Sequence, residues 1–165
     1  MGLNKIIAAD FENEMNTTRR FFDTISEDVF EFQPHEKSMK FGELINHLLP
    51  VPSWVPGIVR ASELDWSKAP AVEPLTDKAA IMDRFDTGVA AAKEALSTIT
   101  DEELNELWTM KNAEKVFFTV PKHVAIRNLI INHTIHHRAQ FGVYLRLNNM
   151  KVPASYVSSA DESLF

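Results

Sequence analysis

NHTIHHRAQFGVYLR, residues 132–146, carries three of the six histidines, and the helical reading of the whole chain starts here. His133 and His137 stand four residues apart, a turn of about 400° on a helix, so their imidazoles leave one face only about 40° apart. Phe141, Tyr144 and Leu145 continue that face downstream, and Val124, Ile126, Leu129 and Ile130 continue it upstream. A helix is therefore expected from Pro121, a residue tolerated in a first turn, to about Leu147.

The same spacing recurs outward from this stretch. Between residues 3 and 25, Leu3, Ile6, Ile7, Phe11, Met15, Phe22 and Ile25 return every three or four positions, with Glu12, Glu14, Arg19 and Arg20 opposite them. That is one face of a long amphipathic helix. Residues 26–40 are polar and hold Pro34, so they connect. A second helix opens near Ser38 to Lys40 and turns Phe41, Leu44, Ile45, Leu48 and Leu49 inward, with His47 among them. Pro50, Pro52 and Pro56 each remove a backbone donor, so this helix is interrupted after His47 and resumes across residues 54–61.

Residues 62–75, with Pro70 and Pro74, read as a loop. Thr76 is the expected N-cap of a third helix that places Ile81, Phe85, Val89, Leu96 and Ile99 on one face. Thr100 and Glu103 have the spacing of a capping box. Residues 108–110 and 115–119 flank the polar KNAE turn and pair as a small β-hairpin. The tail from residue 148 is irregular. The expectation is an all-α four-helix bundle occupying residues 1–165 as a single domain, with the hairpin between helices 3 and 4.

Composition narrows the function. Hydrophobic residues are 45% and charged residues 24%, the balance of a globular domain. With a net charge of −6 and no block of lysines or arginines, no nucleic-acid partner is expected. There is no cysteine, which excludes thiolate nucleophiles and cysteine-ligated zinc. The five glycines are scattered singly, so no phosphate-cradling loop can be assembled. Neither a signal peptide nor an apolar run of about 20 residues is present, so no membrane partner is expected and the cytoplasm is the expected compartment.

Two inward neutral imidazoles need partners, because burying them unpaired costs several kcal/mol. A divalent cation satisfies both, and His47 on a separate segment would supply a third nitrogen. Three imidazoles leave coordination positions open for water or substrate. Spacing alone leaves a hydrogen-bonded pair of core histidines equally open. His136 lies about 60° from His133 on the helical projection and should border the site. His35 and His123 are expected at the surface. The position after His133 is Thr134, where a metalloprotease of the HExxH kind requires glutamate, so that chemistry is not expected. Glu43, one turn before His47, is the weak catalytic candidate, against the plainer reading of a solvated charge.

Three blocks, FQPHEKSMKFGELINH (32–47), NHTIHHRAQFGVYLR (132–146) and the VPASYVSSADE tail (152–162), resemble the DinB/YfiT-like family of metal-dependent proteins. The resemblance implies a bundle in which His47, His133 and His137 bind a divalent ion, nickel or zinc, and it implies a homodimer. Where that family has glycine in its HHRGQ block this chain has Ala139, and its YGPSADE-like tail is here altered at Val157 and Ser158. The implied activity is a metal-dependent hydrolase acting on a small-molecule substrate. The alternatives are transfer or isomerisation with a low-molecular-weight thiol, known among relatives of the family, and a noncatalytic metal-binding stress-response protein.

Overall fold

The computed structural model describes residues 2–163. The chain is mostly helical, with one small sheet. Helix α1 runs Leu3–Asp23, and a 3-10 turn at Glu27–Val29 leads to α2, Phe41–Leu48. Prolines interrupt the path as expected: Val51–Trp54 is a 3-10 turn, and α3 follows at Val55–Arg60. Then come strand β1 at Glu63–Asp65, α4 at Lys78–Thr98, the short α5 at Asp101–Leu104, and the strands β2 at Leu107–Asn112 and β3 at Lys115–Pro121. The last helix is composite: α6 at Lys122–Ala125, a π-helical stretch at Ile126–Asn132, and α7 at His133–Leu147.

Helix α1 packs on α4 and α7, α2 packs on α7, and α3 packs on α4. The core between them is aromatic. Phe22 meets Phe85 edge to face at 4.7 Å, and Phe41 meets Phe141 at 4.8 Å. Such pairs add to the burial of area, and here they tie α1 to α4 and α2 to α7. On α4 the small residues Gly88, Ala92 and Ala95 are buried beside Ile81 and Phe85. The proline-rich turn packs against them, and a Cβ on Gly88 would make an ordinary 3.5 Å contact with the Ser53 backbone.

Several expectations shift by small amounts. Ile6 is exposed rather than buried. The N-cap of α4 is Asp77, whose side chain accepts from the Ala80 N–H, and not Thr76. The capping box at Thr100 and Glu103 forms as read. The hairpin forms too, but it belongs to a three-stranded sheet, because β1 pairs parallel with β2 inside the stretch read as loop. The chain is thus not purely α. Among the described residues no helix is long and apolar enough to cross a membrane.

Candidate metal centre

His47 comes from α2 and His133 and His137 from α7, and the fold brings the three rings together. Centroids of His47 and His133 are 4.9 Å apart, those of His47 and His137 4.6 Å, and those of His133 and His137 4.6 Å. One ring nitrogen from each lies within 4.8 Å of the others. Three imidazoles on one tetrahedral ion about 2.05 Å away would have nitrogens about 3.3 Å apart, a spacing that falls between the 2.9 Å and 4.8 Å seen here.

Hydrogen bonds orient two of the three. Nδ1 of His133 lies 3.2 Å from the Leu129 carbonyl, and Nδ1 of His137 lies 2.7 Å from Oε1 of Gln140. Both oxygens can only accept, so each Nδ1 carries the hydrogen and each Nε2 keeps its lone pair. Metal-binding histidines are commonly held this way. Nε2 of His47 is 2.9 Å from Nε2 of His133, a contact that requires N–H on His47 when nothing lies between them. A cation between the rings would take that proton's place, with the His47 hydrogen on Nδ1. The donor set fits a divalent ion. No carboxylate joins the cluster among the described residues.

All three rings favour the neutral, ligating form. Burial, with His137 and His47 adding to it, pushes the His133 imidazole down to about 4. Burial also lowers His47, helped by His137. It lowers His137 as well, against the hydrogen bond its Nδ1–H donates to Gln140.

The cluster sits at the rim of the core rather than inside it. His137 is buried, His133 half-buried and His47 exposed, which corrects the expectation that His47 points inward. It stands on α2 beside buried Ile45 and Leu48, but its exposed ring meets those of His133 and His137 instead of entering the core. On α7 the buried residues Thr134, His137, Arg138, Phe141, Tyr144 and Leu145 form an arc. At roughly 100° per residue its centre lies about 80° from His133 and about 40° from His137, which accounts for their different exposure.

Glu43 is spent elsewhere. Its carboxylate accepts from the Lys40 N–H at 2.8 Å and caps α2, one turn before His47. His136 is exposed and borders the cluster, its centroid 4.7 Å from that of His137. His35 is exposed, whereas His123 is half-buried rather than at the surface. Sequence reasoning missed Gln140, the Leu129 carbonyl and Asn46. The Asn46 amide exchanges hydrogen bonds with the Leu75 backbone, accepting at 2.7 Å and donating at 2.9 Å, and so ties α2 to the segment before α4. Gln140 was findable, since it lies three residues beyond His137 on the same helix.

The chain is 25% identical over 140 residues to YjoA, an uncharacterised protein of Bacillus subtilis (strain 168), covering 85% of this chain and 87% of that one. Its fold is similar to the crystal structure of B. subtilis YjoA, a DinB-like protein, with a TM-score of 0.70 at 23% identity over 90% of this chain and 96% of that one. A DinB-like protein from Bacillus cereus ATCC 10987 gives a TM-score of 0.69 at 22% identity, covering 91% and 95%. The family match runs over residues 2–163, from the first turn of α1 into the tail, and by it the chain belongs to the DinB family.

Proposed function

We propose that the chain is a metal-dependent enzyme of hydrolase type, in which His47, His133 and His137 hold one divalent ion, nickel or zinc, beside a small-molecule substrate. The observation that carries this reading is the convergence of three imidazoles from two segments, with the Nδ1–H groups on α7 already committed to Leu129 and Gln140. A divalent ion held by three neutral imidazoles lowers the pKa of water or of a thiol and keeps positions open for them. The protein's own contribution is orientation. The hydrogen bonds on α7 aim two lone pairs at a common point, and α2, fixed by its cap and by Asn46, presents the third ring at the open side. We also read α1, the α2–α3 segment, α4 and the α6–α7 segment as a four-helix bundle, which their pairwise packing supports. A homodimer is part of the same proposal, checked by light scattering.

Elemental analysis of protein purified without an affinity tag tests the site. About one divalent ion per chain is expected, and it should be lost in His47→Ala and in His137→Ala. Metal retained at full stoichiometry in both variants would reject the triad. Ester and amide hydrolysis assayed with and without chelator tests the reaction class. Conjugation of an electrophile by a small thiol, with no hydrolysis, would move the assignment to thiol transfer.

A further inference from the structure

All three tryptophans of the chain line one cavity. Its volume of about 720 Å³ lies in the range of small-molecule sites. Trp54, Trp66 and Trp108 share its wall with Ile58, Leu64 and Met110. Trp54 meets Trp66 edge to face at 5.3 Å, and its ring lies 6.3 Å from that of His133. Leu129, whose carbonyl orients His133, is also in the lining. The cavity therefore lies next to His133, with Trp54 and Leu129 in its wall.

Four charged side chains belong to this lining: Glu63, Asp65, Lys68 and Arg84. Three are engaged within the protein. Glu63 pairs with Lys111 at 2.7 Å. Asp65 accepts from the Ser67 N–H and hydroxyl and from the Ala113 N–H, with Lys68 3.7 Å away. Arg84 has no hydrogen bond or ion pair among the described residues. Lys68 is mostly exposed and only loosely paired, so the charge wholly without a partner at this cavity among the described residues is the Arg84 guanidinium, a planar fork that suits carboxylates and similar oxyanions. It is exposed, so an anion can reach it without losing all its water.

We propose that this cavity takes a small aromatic anion, with its ring against the accessible indoles of Trp54 and Trp66 and its anionic group on Arg84. Aromatic rings gain edge and face contacts from indole walls that an aliphatic chain of equal volume does not. The inference rests on the metal-dependent reading only in treating this ligand as a substrate. Binding itself requires no cation.

The test uses 2-naphthoate and its neutral counterpart 2-naphthamide, followed by tryptophan fluorescence and calorimetry. Saturable binding of one 2-naphthoate per chain is expected, with quenching. Arg84→Gln should weaken 2-naphthoate about tenfold, the order of a charge-assisted hydrogen bond, and leave 2-naphthamide unchanged. Trp66→Leu should weaken both probes. No saturable binding of 2-naphthoate, or an unchanged affinity in Arg84→Gln, would overturn the proposal. Naphthoate binding by a chain found to hold no metal would leave this inference standing while the catalytic reading fell. A stoichiometric metal with no naphthoate binding would do the reverse.

Discussion

Thr134 stands between His133 and His137 on α7, and its buried hydroxyl has no hydrogen-bond partner among the described residues. An unsatisfied buried donor costs about 1–3 kcal/mol, whereas an apolar group of the same shape costs nothing of the kind. Valine has that shape and the same β-branching. Thr134→Val is therefore expected to raise stability by about 1 kcal/mol in urea denaturation. A loss of stability instead would mean the hydroxyl is engaged. The neighbouring imidazoles give a pH dependence. Burial lowers all three from the ordinary value of 6.5, His133 to about 4. Between those values the unfolded chain binds more protons than the folded one, so stability falls as pH falls. The metal-free protein should keep its full urea midpoint above pH 6.5 and lose it progressively toward about pH 4. His133→Gln should flatten that slope, and an unchanged slope would show that the ring is solvated in the fold.

At the scale of elements, Glu43 is the sharper case, because its position suggested chemistry and the helix uses it as a cap. Glu43→Ala should cost about 1 kcal/mol of stability while the metal content stays at the wild-type level. Loss of metal in a folded Glu43→Ala protein would return the carboxylate to the site. The long helices were legible because burial repeats at the helical period: Ile7, Phe11, Met15 and Phe22 on α1, Phe41, Leu44, Ile45 and Leu48 on α2. The histidine triad was legible because imidazole chemistry and i, i+4 spacing survive any small error in helix bounds. The π-helical stretch at Ile126–Asn132 was not, since it is a choice of hydrogen-bond register that the same apolar residues allow either way. Its consequence is visible in burial: Ile131 joins Ile126 and Ile130 in the core, Thr134 follows, and His133 is left at the rim. Strand β1 was hidden for another reason. Its three residues gain their conformation from pairing with Thr109, Met110 and Lys111, far away in sequence.

Across the whole molecule, α1, α7 and the C-terminal tail meet at one buried ionic knot. Arg138 pairs with Glu14 at 2.6 Å, with the two side chains only 3% and 8% exposed. Its guanidinium also donates to the Glu14 carbonyl and the Thr18 hydroxyl, and the Tyr156 hydroxyl bonds both Glu14 and Arg138. The tail is held further by Arg146 on Asp161 and by Arg20 on Glu162. Arg138 immediately follows His137, so the knot also fixes the azimuth at which α7 presents its imidazoles. Removing one partner leaves a buried charge uncompensated, which costs about 3–5 kcal/mol, whereas replacing both by apolar residues of similar volume is close to neutral. Arg138→Met alone should thus be severely destabilised in urea, and the Glu14→Met, Arg138→Met double variant should recover most of the loss. If the double variant is as unstable as the single one, the hydrogen bonds to Thr18 and Tyr156 matter more than the pair itself. Metal content in the recovered double variant then reads out orientation separately from stability: a folded protein that binds the ion more weakly would show that the knot aims His137 as well as holding α7 to α1.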